Sequence, residues 1–121
     1  SGIEFDESTL GTLMPLQDHL TKLDLSGTDL SMESCCLISK FSRLTHLNLR
    51  QSTIDDSGLK ALSGLKNLIS LNLSETKISD YGIKPLLSFQ NLESLHLWKS
   101  EVSDSRRQFL KNRLPGVVVT P

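Results

Sequence analysis

The hydrophobic positions of this chain return on a fixed period. Leu20, Leu23 and Leu25 stand in the order Leu-x-x-Leu-x-Leu, and that order recurs at Leu44, Leu47 and Leu49, at Leu68, Leu71 and Leu73, and at Leu92, Leu95 and Leu97, each copy 24 residues after the last. Three residues past each final leucine comes a hydroxyl (Thr28, Ser52, Thr76, Ser100), and two further on an aliphatic (Leu30, Ile54, Ile78, Val102). Four copies in register make this internal repeat the organising fact of the sequence.

The spacing predicts the local structure. Residues at i and i+2 of an extended segment point to one side, and their neighbours to the other. Leu23 and Leu25 therefore enter a core while Lys22 and Asp24 face outward. After a turn the period changes: Leu59, Leu62 and Leu65 have helical spacing, and Ile83, Leu86 and Phe89 match them one repeat on. Ser31, Asp55, Ser79 and Ser103 occupy N-cap positions, with Asp56, Asp80 and Asp104 next in the electropositive first turn. Each repeat is thus strand, turn, helix and return loop. One such unit cannot bury its own apolar face, but stacked units can, with strands in a parallel sheet on one side and helices on the other. The hydroxyls Thr28, Ser52, Thr76 and Ser100 are expected to bond turn backbone in the neighbouring coil.

The expected architecture is an α/β solenoid forming a single domain over 1–121. Four repeats span 20–43, 44–67, 68–91 and 92–115, an irregular segment 1–19 precedes them, and a closing strand 116–121 follows. In the last repeat Arg107 stands where Leu59 and Ile83 stood, Leu114-Pro115-Gly116 breaks the helix, and Val119 falls one period after Leu95. At the other end, Ile3-Glu4-Phe5 reads as a shortened edge strand. Leu10, Leu13, Met14 and Leu16 read as a helix over the first layer, and a solenoid cut mid-stack is the alternative.

Residues 20–103 resemble leucine-rich repeats of the helix-containing, ribonuclease-inhibitor-like kind. The form Leu-x-x-Leu-x-Leu-x-x-Thr/Ser-x-Ile/Leu-Ser/Asp-Asp-x-Gly-Ile/Leu is similar to repeats of F-box substrate receptors. Two departures stand out: Thr or Ser replaces the usual turn Asn or Cys, and the Gly-x-Ile-Pro segment of extracellular plant receptor repeats is absent. The resemblance implies protein recognition, with substrate recognition in a ubiquitin-ligase complex, or regulation of another enzyme such as a GTPase, as specific versions.

Composition narrows the chemistry. The net charge of -1 gives no global pull toward nucleic acid or an anionic membrane. The first residues lack the basic and apolar stretches of a signal peptide. Cys35 and Cys36 are adjacent and poorly placed to bridge each other, so a reducing cytoplasmic or nuclear setting is expected. Cys35 matches the buried Leu59 position. His19, His46 and His96 do not converge on a metal, and Ser26-Gly27-Thr28 is a turn rather than a phosphate cradle. The Asp55-Asp56, Asp80, Asp104 ladder reads as helix capping rather than a calcium site. The basic run Arg106, Arg107, Lys111, Arg113 reads as a solvated terminal helix. No enzyme activity and no cofactor are expected.

What remains is a surface. The outward residues line up as Lys22, His46, Ser70, Ser94, then Asp24, Asn48, Asn72, His96, then Ser26, Arg50, Ser74, Trp98. At about 4.8 Å per strand this face is roughly 15–20 Å wide. Lys22, Asp24, His46, Asn48, Arg50, Asn72, His96 and Trp98 are the candidate contacts to a protein partner. The chain is expected to act as a monomer or as part of a larger chain or complex. Trp98 is the sole tryptophan and has two readings, a binding anchor or a cap folded over the last repeat.

Overall fold

A computed structural model gives the structure and describes residues 14–16 and 18–120. Five strands, β1 (Lys22–Asp24), β2 (His46–Asn48), β3 (Ser70–Asn72), β4 (Ser94–His96) and β5 (Val118–Thr120), form one parallel sheet in sequence order. Leu23, Leu47, Leu71, Leu95 and Val119 pair in direct register, so the 24-residue period is the step from one strand to the next. Four helices return the chain: α1 (Met32–Ile38), α2 (Asp56–Leu62), α3 (Ile83–Leu86) and α4 (Asp104–Arg113). None of the described helices is long and apolar enough to cross a membrane.

The core is a set of columns between sheet and helices. Leu25, Leu49, Leu73 and Leu97 form one, Ile38, Leu62, Leu86 and Leu110 another, and Phe41, Leu65 and Phe89 a third, all essentially without solvent exposure. Burying each such side chain contributes about 1.5–3 kcal/mol. Cys35 takes the place of Leu59, as its position implied, and packs there as a small buried residue. At the last coil Leu110 and Val119 are buried, with Phe109, Leu114 and Val117 partly covering the layer. Arg107, at the Leu59 position, is half-buried, and its guanidinium donates to the carbonyl of Val102 and the hydroxyl of Ser100.

The helix starts are capped as their residues dictate. Ser31, Asp55, Ser79 and Ser103 accept from the amides of Ser34, Gly58, Tyr81 and Arg106. The aspartates that follow do more than sit in a favourable field. Asp56 accepts from the amide and hydroxyl of Ser79 in the next coil, and Asp80 accepts likewise from Ser103. Each is a latch between successive helix starts.

Four expectations change. The third helix is shorter than its spacing implied: a 3₁₀ turn, Asp80–Gly82, leads into the four residues of α3, which contain Pro85. Proline brings no amide to a helical ladder, and the segment stays brief. Leu65 and Phe89 lie beyond their helices yet still fill the core. The turn hydroxyls serve their own coil rather than the neighbour's: Thr76 donates to the carbonyl of Leu73 and accepts from the amide of Ile78, and Ser52 accepts from Ile54. Finally, Met14–Leu16 forms a 3₁₀ turn with Leu16 exposed, so Leu16 does not cover the first layer. Ile3-Glu4-Phe5, Leu10 and Leu13 lie outside the described residues.

Candidate partner-binding face

The register sets the outward residues in rows. Lys22, His46, Ser70 and Ser94 lie side by side across the sheet, as do Asp24, Asn48, Asn72 and His96. Lys22, Asp24 and His46 are exposed; Asn48, Asn72 and His96 are half-buried. Together they border a shallow hollow of about 390 Å³ at the centre of the sheet.

The middle row also builds the turns. Asp24, Asn48 and Asn72 each accept, through Oδ1, the amide two residues on, from Ser26, Arg50 and Ser74 at 2.9, 3.0 and 3.0 Å. This is the short side-chain-to-backbone bond that Asp and Asn readily form in turns. Burial pushes the Asp24 carboxyl up, but the hydrogen bonds from Ser26 outweigh it, and the group lies below its ordinary range. His96, in the corresponding place of the fourth coil, instead sets Nδ1 2.9 Å from the hydroxyl of Thr120 on β5.

One step further along the chain the backbone turns left-handed. Gly27, Gln51, Glu75 and Lys99 occupy equivalent positions with φ of 73°, 59°, 56° and 55°. Only glycine takes this conformation without a Cβ penalty. The three side chains placed there are all used. Glu75 accepts from Arg50 at 3.0 Å and from Gln51 at 2.9 Å. Those two donors, Gln51 foremost, hold its carboxyl below the usual range. Lys99 sets its ammonium 4.6 Å from the centre of the Trp98 ring, a cation–π contact. Sequence reasoning passed over Gln51, Glu75 and Lys99, because nothing in their residue type marks a left-handed turn.

Trp98 is 46% exposed and lies outside the buried core. It borders a second hollow, of about 460 Å³, with Arg50, Asn72, Ser74, His96 and Thr120. Ser74, read from the sequence as an outward position of this row, is itself buried. On the helix side a groove of about 560 Å³ runs between α2 and α3, bordered by Lys60, Tyr81 and Lys84 among others.

Among the described residues no group of three or more His, Cys, Asp or Glu side chains is arranged to hold a metal ion. Both cysteines lie on α1, Cys36 exposed and Cys35 buried. Burial, with the charges of Asp55 and Cys36 adding, pushes the Cys35 thiol up to about 11, the opposite of an activated nucleophile.

A family model described as a leucine-rich repeat matches residues 18–36, 43–63 and 64–87, more than half of the chain. The chain belongs to the leucine-rich-repeat family. Several solved structures share its fold. A leucine-rich-repeat protein of Leptospira interrogans superimposes with a TM-score of 0.66 at 21% identity, over 86% of this chain and 26% of that one. An internalin of Listeria monocytogenes gives 0.68 at 24%, over 89% and 30%. Actin-binding site 2 of leiomodin-1 gives 0.67 at 15%, over 92% and 75%. This leucine-rich-repeat chain thus spans under a third of the length of the two bacterial proteins. No curated protein sequence matches it. Leucine-rich repeats are in general protein–protein interaction modules and typically not enzymes.

Proposed function

We infer that this leucine-rich-repeat protein is a recognition module that grips a protein partner across its strand face. Lys22, Asp24, His46, Asn48, Arg50, Asn72, His96 and Trp98 form the contact set. The observation that carries this reading is Trp98: a large indole left 46% exposed, outside the core, at the border of a hollow in an otherwise polar face. Tryptophan and arginine are over-represented among residues that dominate binding energy. Asp24, Asn48 and Asn72 have a double task, since their Oδ1 atoms hold the turns that shape the face. The central hollow is shallow and bordered mostly by polar residues, as suits a wet interface.

Capture from a cell extract followed by mass spectrometry tests the reading with three baits. The first is the wild-type chain, the second Trp98→Ala with Arg50→Ala, and the third Tyr81→Ala with Lys84→Ala on the helix side. Circular dichroism checks that each bait is folded. The strand-face pair should lose the captured protein, and the helix-side pair should keep it. The reverse pattern would refute the assignment.

A further inference from the structure

The groove between α2 and α3 lies on the helix side, and the strand-face reading makes no use of it. Hydrogen bonds frame it at both ends. At the helix starts, the carboxylate of Asp56 accepts from the amide and the hydroxyl of Ser79. At the helix ends, the hydroxyl of Ser88 and the ammonium of Lys66 both donate to the carbonyl of Ser63, at 3.2 and 3.3 Å. Between these fastenings lies a space of about 560 Å³, within the roughly 300–1,000 Å³ of ordinary ligand sites. The frame keeps its walls in place before anything binds.

The walls carry rings and unpaired cations. Tyr81 is 88% exposed, and half-buried Pro85 adds a second ring from α3. Lys60 and Lys84 are exposed and form no ion pair among the described residues. The carboxylates one helical turn before them are already engaged, Asp56 by Ser79 and Asp80 by Ser103, each through both oxygens. The hydroxyls of Ser57 and Tyr81 donate as well as accept, so they suit an anion too. Cys36 and Gln108 hold the place of Lys60 and Lys84 in the outer coils, so at that position only this junction has a cation on each side. The last coil shows what cations do with a ring here. Phe109 stands one period after Pro85, and its ring centre lies 5.5 and 5.4 Å from the guanidiniums of Arg106 and Arg113. We propose that the groove is a second docking site, separate from the strand face, for a partner segment that carries an aromatic side chain flanked by carboxylates. The aromatic side chain lies on Tyr81 and Pro85, and the carboxylates pair with Lys60 and Lys84. A nucleic acid is a poorer match, because two cations cannot follow a row of phosphates.

Backbone amide NMR reads the site residue by residue. Three peptides are titrated: acetyl-Glu-Phe-Glu amide, acetyl-Gln-Phe-Gln amide and acetyl-Glu-Ala-Glu amide. An oligothymidylate serves as the competing class. The first peptide should shift the amides of Ser57, Lys60, Tyr81 and Lys84 saturably and leave those of Asn48 and Asn72 in place. It should bind about tenfold tighter than either of the other two, as expected when a charge-assisted pair or a ring contact is removed. Its advantage over the Gln peptide should shrink as salt rises. Lys60→Ala with Lys84→Ala should lower it to the level of the Gln peptide, and Tyr81→Ala to the level of the Ala peptide. Trp98→Ala with Arg50→Ala should change none of these values, which keeps the test independent of the strand-face reading. Equal binding of the three peptides, shifts confined to the strand face, tighter binding of the oligothymidylate, or no saturable shift would overturn the proposal.

Discussion

Gly82→Ala isolates how successive coils are fastened. Gly82 ends the 3₁₀ turn before α3 and is buried. A methyl group built on it lies 2.8 Å from Oδ1 of Asp56, 2.9 Å from Cγ2 of Ile78 and 3.3 Å from Cδ2 of Leu59. Two effects oppose each other. Alanine is the better helix former by up to about 1 kcal/mol. Against that, Oδ1 of Asp56 is the atom that receives the Ser79 amide, so the new methyl group displaces the latch itself. Hydrogen bonds to a charged group are worth about 1.5–3 kcal/mol each, but the half-buried Asp56 can recover part of that from water. Crowding Ile78 and Leu59 adds about 1–3 kcal/mol. The net expectation is a loss of about 2–4 kcal/mol, read as a lower urea midpoint with unchanged slope. Gly64→Ala is the control, since nothing lies within 4 Å of its added methyl group. In an Asp56→Ala background the latch is already gone, and Gly82→Ala should then cost about 1–2 kcal/mol less than in the wild type. Equal stability of Gly82→Ala and Gly64→Ala, or strict additivity with Asp56→Ala, would refute the reasoning.

Two further outcomes follow from the turn and the buried thiol. Gly27→Ala places a Cβ in open space at φ 73°, so the cost is backbone strain alone, about 1 kcal/mol by thermal or urea unfolding; no loss would show that the turn relaxes freely. Cys35 keeps its proton in the folded state up to about 11, while an unfolded thiol gives it up near about 8.5. The folded state therefore holds more protons in that window, so stability is intact below it and falls as pH rises through it. Cys35→Ala should flatten that fall, and native-state alkylation followed by mass spectrometry should modify Cys36 and spare Cys35. Labelling of both at the same rate would contradict the burial.

The columns were legible because a repeat multiplies its own signal. Leu23, Leu47, Leu71, Leu95 and Val119 share one environment, and each copy confirms the others. The N-caps were equally plain, since Ser and Asp at those positions have one short-range task. Three things were not legible. The latch from Asp56 to Ser79 joins residues 23 apart, and residue type alone cannot separate it from a favourable helix-start charge. The role of Gly58 and Gly82 is close approach between coils, against Cys35 in one case and Asp56 in the other, and only coordinates show that distance. The left-handed positions after Gly27 carry Gln51, Glu75 and Lys99, residues with no preference for such a turn. Of the candidate face, the rows were visible in full, while the burial of Ser74 and the double duty of Asn48 and Asn72 depended on turn geometry.

A repeat protein also provides its own control. Successive coils face similar backbone demands, so a position that meets them in three copies and departs from them in the fourth stands out. Asp24, Asn48 and Asn72 each satisfy the amide two residues ahead. His96 stands in the same place, turns its Nδ1 to Thr120, and gives no such bond to the amide of Trp98. The same coil replaces Ser26, Arg50 and Ser74 with an exposed indole. An asparagine at 96 and a serine at 98 would restore the pattern of the other coils. Two departures, His96 and Trp98, meet at one hollow. That convergence is the physical reason to look for the partner at Trp98 rather than elsewhere on the sheet.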